Sequence, residues 1–264
     1  MGHAEGRMNR ILFEADEVRD GRAVFDDARA EHVLNVLHGT VGQTLKTGVV
    51  NGRVGTSVIE AVTPLALNPG TGAARGRITV RCTHAEEAVA PWVDLLLAPP
   101  RPRALKRLLP QLAQMGVGRI VLVGAEKVEK AFWGAQLLKE AVSRPLLLDG
   151  LMQAGTTALP LLLVERNFRR YLEGGRFEAN FAGQTMRVVA HPYDAGAENG
   201  RNTLRPSHVT SRVVVALGPE GGWTDDEVTL LEAHGFARLS LGPRILRTDT
   251  AAIAVLARLM PVPD

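Results

Sequence analysis

The chain has a single cysteine, Cys82, among 264 residues. That rules out a disulfide framework and a cysteine-based metal site, and it suits a reducing compartment. The seven histidines are scattered with no i, i+4 pair, so no metal site is expected. Long apolar runs are missing as well, and none approaches the roughly 18 residues that cross a bilayer. The first ten residues, MGHAEGRMNR, are polar, so no signal peptide is expected and cytoplasm is the expected compartment. Residues before Met8 stand outside the fold reading. A large charge excess is also lacking: the net charge is +3 and the sequence pI about 9.3. That mild basicity is compatible with a nucleic-acid partner and does not demonstrate one.

What is present is ordinary globular material, 45% hydrophobic and 22% charged, enough for one large domain or two smaller ones. From Arg10 to Val62, short apolar runs (ILFEA, RAVF, GQTLKTGVV, GTSVIEAV) alternate with turn residues. They predict a barrel-like β module of about 70 residues. One helix is expected within it, with Ala30, Val33, Leu34 and Leu37 on one face and Gly39 at its end. Thr63 to Arg77, rich in Pro, Gly and small residues, is the expected linker. It separates residues 1–75 from a second domain, 76–264.

In that second domain, near-continuous apolar strands alternate with helices. The pattern predicts a mostly parallel α/β sheet covered on both faces. WVDLLLA, RIVLVGA, LPLLLVE, MRVVAH, RVVVALG and ARLSLG are the expected strands. RALKRLLPQLAQMGV reads as a helix that Pro110 kinks or divides.

The stretch LGPEGGWTDDEV, Leu217 to Val228, carries the strongest local signal. Thr224 and Glu227 form a T-x-x-E capping box, so a helix starts at Thr224 and GPEGGW joins it to a buried strand. Ligands bind at such strand ends in open α/β sheets. Gly221 and Gly222 would let backbone N–H groups approach a ligand, and Glu220 adds a carboxylate; a tight turn with a solvated Glu220 is the bland alternative. The loop has no G-K-[ST] and no G-x-G-x-x-G, so known phosphate loops are excluded. The next strand repeats the design: Gly242–Asp249 follows ARLSL, with Ile245 and Leu246 as apolar loop residues fit to wall a pocket. Arg247 stands at a helix mouth, placed for an anion or for a surface ion pair. Ala251 and Ala252 allow close packing of the last helix.

LGPEGGWTDDE followed by LSLGPRILRTDTA closely resembles the signature of the SPOUT, or trefoil-knotted, RNA methyltransferases. More narrowly it resembles the family that methylates N3 of a uridine in 16S rRNA of the small ribosomal subunit. The resemblance implies a deep trefoil knot, a PUA-like N-terminal β-barrel as possible RNA-binding module, a homodimer through the knot, and S-adenosylmethionine bound by three loops. Those loops are the one after Ala190; Leu217, Gly218, Pro219, Gly221 and Gly222; and Leu239, Leu241, Gly242, Ile245, Leu246, Thr248, Thr250 and Ala251. Arg247, Glu220 and Asp249 are the catalytic candidates: Arg247 to stabilise charge, the carboxylates to take a proton or hold the cofactor. Arg101, Arg103, Lys106 and Arg107 form a basic run that either tracks phosphates or is a solvated helix face. Arg166, Arg169 and Arg170 pose the same choice. Gln153 and Trp223 complete the RNA candidates, Trp223 either stacking on a base or packing as a staple.

The sequence departs from the family pattern in four places. Trp223 and Thr224 replace an aromatic Phe and a Ser, and R-T-E-T-A becomes Arg247–Ala251 with Asp249. Residues 110–117 (PQLAQMGV) and 151–157 (LMQAGTT) differ more, which leaves the cofactor side intact and the substrate side altered. A different RNA position, or a non-catalytic RNA-binding assembly factor, is therefore the competing reading.

Overall fold

The structure, a computed structural model, describes residues 10–67, 69–70, 72–182, 186–191 and 212–261. It divides into two compact units: Met1–Val89 with Leu151–Leu159, and Ala90–Gly150 with Pro160–Asp264.

The first unit holds β1 (Ile11–Phe13), β2 (Arg22–Phe25), α1 (Ala28–Asn35), β3 (Thr44–Val49), β4 (Val54–Leu65) and β5 (Arg75–Glu86). The strands form one sheet in the order β1-β3-β4-β5-β2, with β1 parallel to β3 and the other pairs antiparallel. Period-two burial along β5, with Ile78 and Val80 fully buried, turns one face toward α1. Asp27 caps α1 by accepting from the Arg29 N–H, and Ala30 and Val33 are its buried residues. The sheet curls until Phe13 and Phe25, on its two edge strands, lie 5.5 Å apart. It is a curled sheet, where the sequence suggested a barrel. The expected linker is corrected: β4 and β5 pair as far as Leu65 and Arg75, so Thr63–Arg77 is a hairpin inside this unit. Pro-Gly composition marks the connection between two paired strands as readily as a linker, and the division falls after Val89 instead. Leu151–Leu159 is fastened here: Arg10 donates from its backbone N–H to Met152 O (3.1 Å) and from Nε to Gly155 O (2.8 Å), and Asn51 N–H donates to Thr157 O (2.8 Å).

The second unit holds β6 (Val93–Leu97), α2 (Pro102–Gln114), β7 (Val117–Val123), α3 (Glu140–Ala154, its last four residues lying in the first unit's segment), β8 (Leu161–Glu165), α4 (Phe168–Glu173), α5 (Arg176–Asn180), β9 (Met186–Ala190), β10 (Val213–Leu217), α6 (Asp225–Ala233), β11 (Ala237–Leu239) and α7 (Thr248–Leu259). Its sheet is parallel at every pair, in the order β11-β9-β10-β6-β7-β8. β6 and β10 are fully buried along their length, as central parallel strands must be. The parallel α/β expectation therefore holds. The order reverses at β6, with β7 on one side and β10 on the other, which makes a topological switch point.

Two local expectations are corrected. Pro110 does not divide α2, which runs unbroken past it, because Leu105, Leu108, Leu109 and Leu112 bury one continuous face. β11 stops at Leu239 rather than Leu241, because its partner β9 ends at Ala190. Among the described residues no helix is long and apolar enough to cross a membrane.

Candidate active site

Register places the site. Leu217 at the end of β10 sits level with Leu97 at the end of β6, and Leu239 sits level with Ala190. With all strands parallel, the loops after β6, β9, β10 and β11 leave the same edge of the sheet.

The Leu217–Trp223 loop is a fixed structure. Thr224 Oγ1 accepts the Glu227 N–H (3.3 Å) and Glu227 Oε2 accepts the Thr224 N–H (2.9 Å), the capping box that the sequence predicted. The other oxygen of Glu227 accepts from the Glu126 N–H at 2.8 Å, so one buried carboxylate ties α6 to the loop after β7. Lys127 from that loop donates to Gly221 O (3.0 Å), and its stem would touch any Cβ added at Gly221. Gly222 sits at φ 70°, where glycine carries no steric cost. Its N–H bonds to Pro219 O at 2.8 Å, so that donor is spent inside the turn and is not offered to a ligand. The reading of the Gly222 N–H as a ligand donor is corrected accordingly.

One cleft of about 300 Å³ opens over these loops. Every cofactor candidate lines it except Thr250, which lies a helical turn away from Arg247 on the exposed side of α7. Aliphatic side chains of Leu217, Leu239, Leu241 and Leu246 wall it, and Ile245 lines it while 91% exposed. Thr248 donates to Gly218 O (3.1 Å) and so fastens the last loop to the β10 loop. The sequence reading missed His191 and Arg244, both in the lining. His191 is the first residue after β9, whereas the expected strand MRVVAH took it in. Pro192–Gly196 of that loop lie outside the described residues.

A second cavity of about 400 Å³ adjoins the first. It is lined by Pro100, Arg101, Arg103, Ala104 and Arg107 from the start of α2, and by Arg247, Thr248 and Asp249 from the start of α7. Glu220 and Thr248 belong to both cavities. All three catalytic candidates thus meet at the second cavity. Asp249 accepts from Arg107 Nη2 (3.1 Å) through one oxygen and from the Thr250 N–H (3.0 Å) through the other. Glu220 Oε1 accepts the Arg101 N–H at 3.1 Å.

The RNA candidates separate. Arg101, Arg103 and Arg107 come together with Arg247, whereas exposed Lys106 does not line the cavity. Gln153 lies in the segment fastened to the N-terminal sheet and lines neither cavity. Trp223 is 6% exposed and stacks on Phe168 with centroids 5.1 Å apart, so it packs as a staple at the wall of the first cleft. In the second basic cluster, Arg169 is paired with Glu173 at 2.9 Å and Arg166 donates to Trp133 O at 3.3 Å.

Charge also divides unequally. Between residues 10 and 89 there are nine Lys or Arg and ten Asp or Glu, a balance of −1, so the basic excess resides elsewhere. Arg22 and Arg81 both pair with Glu60, Arg29 with Glu17 and Asp27, and Arg77 with Asp26.

Comparisons with known proteins bear on the family and the fold. A family model described as an RNA methyltransferase domain matches residues 87–260. The ribosomal RNA small subunit methyltransferase E of Treponema pallidum is 31% identical over 254 residues, covering 95% of this chain and 90% of its own. Among solved structures, a Legionella pneumophila chain with S-adenosylmethionine bound superposes with a TM-score of 0.70 at 23% identity, covering 95% of this chain and 96% of that one. A Neisseria gonorrhoeae ribosomal RNA small subunit methyltransferase E bound to S-adenosylmethionine gives 0.65 at 21%, covering 94% and 95%. This chain belongs to the ribosomal RNA small subunit methyltransferase E family of RNA methyltransferases.

Proposed function

We propose that the protein methylates small-subunit (16S) rRNA with S-adenosylmethionine as donor, and that the target atom is N3 of a uridine. One observation carries this reading: a largely aliphatic cleft and an arginine-lined cavity share a wall made by Glu220 and Thr248. The cleft fits an adenosyl group. Its aliphatic walls suit the faces of a purine and ribose, and the nearly bare Ile245 side chain is left for something to cover. When bound, S-adenosylmethionine supplies an electrophilic methyl group.

The chain's own residues do the rest. Uridine N3 carries a proton and becomes nucleophilic only as that proton leaves. Glu220 has one oxygen engaged by Arg101 and is assigned the proton. Asp249 has both oxygens engaged and is assigned to positioning, where it holds Arg107 beside Arg247. Arg247 forms no ion pair among the described residues and faces the charge that spreads onto the base oxygens as N3–H is lost. Glu220 would take the N3 proton as N3 bonds to the methyl carbon, with the electron pair of the broken S–CH3 bond left on the donor's sulfur. The base must be unpaired or flipped to enter.

The same reading includes a homodimer, a cytoplasmic location, a knot around α7 and a PUA-like N-terminal module. Ile245, apolar and 91% exposed, supports a partner subunit covering that loop. The near-neutral, internally paired surface of the first unit favours a bracing role for it over RNA contact. The test uses small ribosomal subunits that lack rRNA base methylation, incubated with the protein and methyl-labelled S-adenosylmethionine. Nucleoside mass spectrometry should find 3-methyluridine. A different methylated nucleoside would move the target, and bound cofactor without any transfer would leave an RNA-binding assembly factor.

A further inference from the structure

We propose that the cavity at the start of α2 and α7 is a clamp for a backbone phosphate of the RNA, adjacent to the target nucleotide. This rests on the rRNA-methylation reading and assigns the substrate atoms that Arg101 and Arg103 bind. The cavity has about 400 Å³, room for a phosphodiester and its sugar. Four guanidinium-bearing residues line it against two carboxylates, Glu220 and Asp249.

What marks the cavity is that its arginines cluster and only one of them is paired. Arg107 is paired with Asp249 at 3.1 Å. Arg101, Arg103 and Arg247 have no carboxylate within ion-pair distance among the described residues. Elsewhere in the second unit Arg176 pairs with Glu165, Arg187 with Glu178 and Arg238 with Glu232, while Arg166 bonds to the Trp133 carbonyl and Arg119 lies over the Phe181 ring. Three unpaired guanidinium groups around one cavity repel each other until an anion enters. The guanidinium fork matches two phosphate oxygens, and several forks match a phosphodiester better than they match a single carboxylate.

Charge also tells which anion. The competing occupant is the carboxylate of the cofactor's methionine portion. S-adenosylmethionine carries a sulfonium and an ammonium besides that carboxylate, so its net charge is positive and three arginines oppose it. A phosphodiester carries one negative charge, and the lining's four guanidinium groups outweigh its two carboxylates in attracting it. The shared wall then does geometric work. Glu220 accepts the Arg101 N–H, so the loop that lines the cofactor cleft also fixes the first residue of the clamp. A phosphate held by Arg101 and Arg103 sets the nucleotide's distance from that wall, and positioning of this kind is a large part of catalysis of a displacement.

The experiment measures binding of unmethylated small ribosomal subunits by the full chain and by Arg101→Ala and Arg103→Ala, over a range of salt. Arg169→Ala, a surface arginine paired with Glu173, controls for general loss of positive charge. Affinity for S-adenosylmethionine is measured on the same proteins by calorimetry. Each clamp variant should bind subunits at least about tenfold more weakly, and the slope of log affinity against log salt should fall by about one. Cofactor affinity should stay within about twofold, and Arg169→Ala should behave like wild type. Unchanged affinity and slope in both clamp variants would overturn the proposal. So would a parallel loss of cofactor affinity, which would give the cavity to the methionine carboxylate. The two readings fail separately. Subunit binding with the expected slope changes but no methyl transfer would sink the proposed activity and leave the clamp. Normal methylation with unchanged slopes would do the reverse.

Discussion

At the residue scale, the carboxylates at the shared wall differ by their partners. Asp249 is held by Arg107 and by its own helix, whereas Glu220 has one engaged oxygen. Glu220→Gln keeps an oxygen able to accept the Arg101 N–H but cannot take a proton. The expected outcome is a loss of about 100-fold or more in kcat with cofactor affinity unchanged, read by single-turnover methyl transfer and calorimetry. Arg247→Ala should lower kcat by a similar factor, about 100- to 1,000-fold, because it removes a charge-stabilising group. Near wild-type methylation by folded Arg247→Ala would remove it from the mechanism. Trp223 shows what single-residue reasoning misses. Its position beside the loop was legible, but the choice between base stacking and core packing depended on Phe168, 55 residues away, lying against the ring.

At the element scale, the site depends on how α6 and α7 begin. Glu227 satisfies the Thr224 and Glu126 N–H groups while 9% exposed, so Glu227→Ala strands two donors. The expected cost is about 2 kcal/mol, and thermal unfolding of the second unit should begin several degrees lower. A melt indistinguishable from wild type would show that water replaces both bonds without loss. The capping box itself was legible, because T-x-x-E is a local code with a local cause. The Glu126 partner was not, since it comes from the loop after a different strand. The Pro-Gly stretch at Thr63–Arg77 failed for a related reason: local composition fixes a turn but not whether the strands on either side pair, and β4 and β5 do.

At the scale of the whole molecule, the two units should report separately. The first unit has no Trp; Trp92, Trp133 and Trp223 all lie in the second. In the first unit, burial and then the nearby Arg10 charge push the His84 imidazole below its ordinary value of 6.5, and its Nε2 lies 2.8 Å from Thr47 Oγ1. A depressed imidazole leaves the unfolded chain binding more protons below pH 6.5, so its contribution to stability is full above that pH and shrinks as pH falls. The bond from Arg29 holds the Glu17 carboxyl below its ordinary 4.5, so that contribution is lost only in stronger acid. Between pH 6.5 and 4.5 the first unit should therefore lose stability before the second. Denaturant unfolding followed by far-ultraviolet dichroism should shift in that window, while tryptophan fluorescence holds. Coincident shifts of both signals would refute this.

The sequence alone determined the α/β layout of the second unit, the α6 start and the two Gly-Pro strand ends, because each rests on short-range periodicity or on backbone chemistry within a few residues. It also singled out Arg247, Glu220 and the α2 arginines as separate candidates. That these meet at one cavity, with Asp249 tied to Arg107 across 142 positions, was decided by tertiary structure. The physical reason is the parallel register of β6 beside β10, which brings loops distant in sequence to one edge of the sheet.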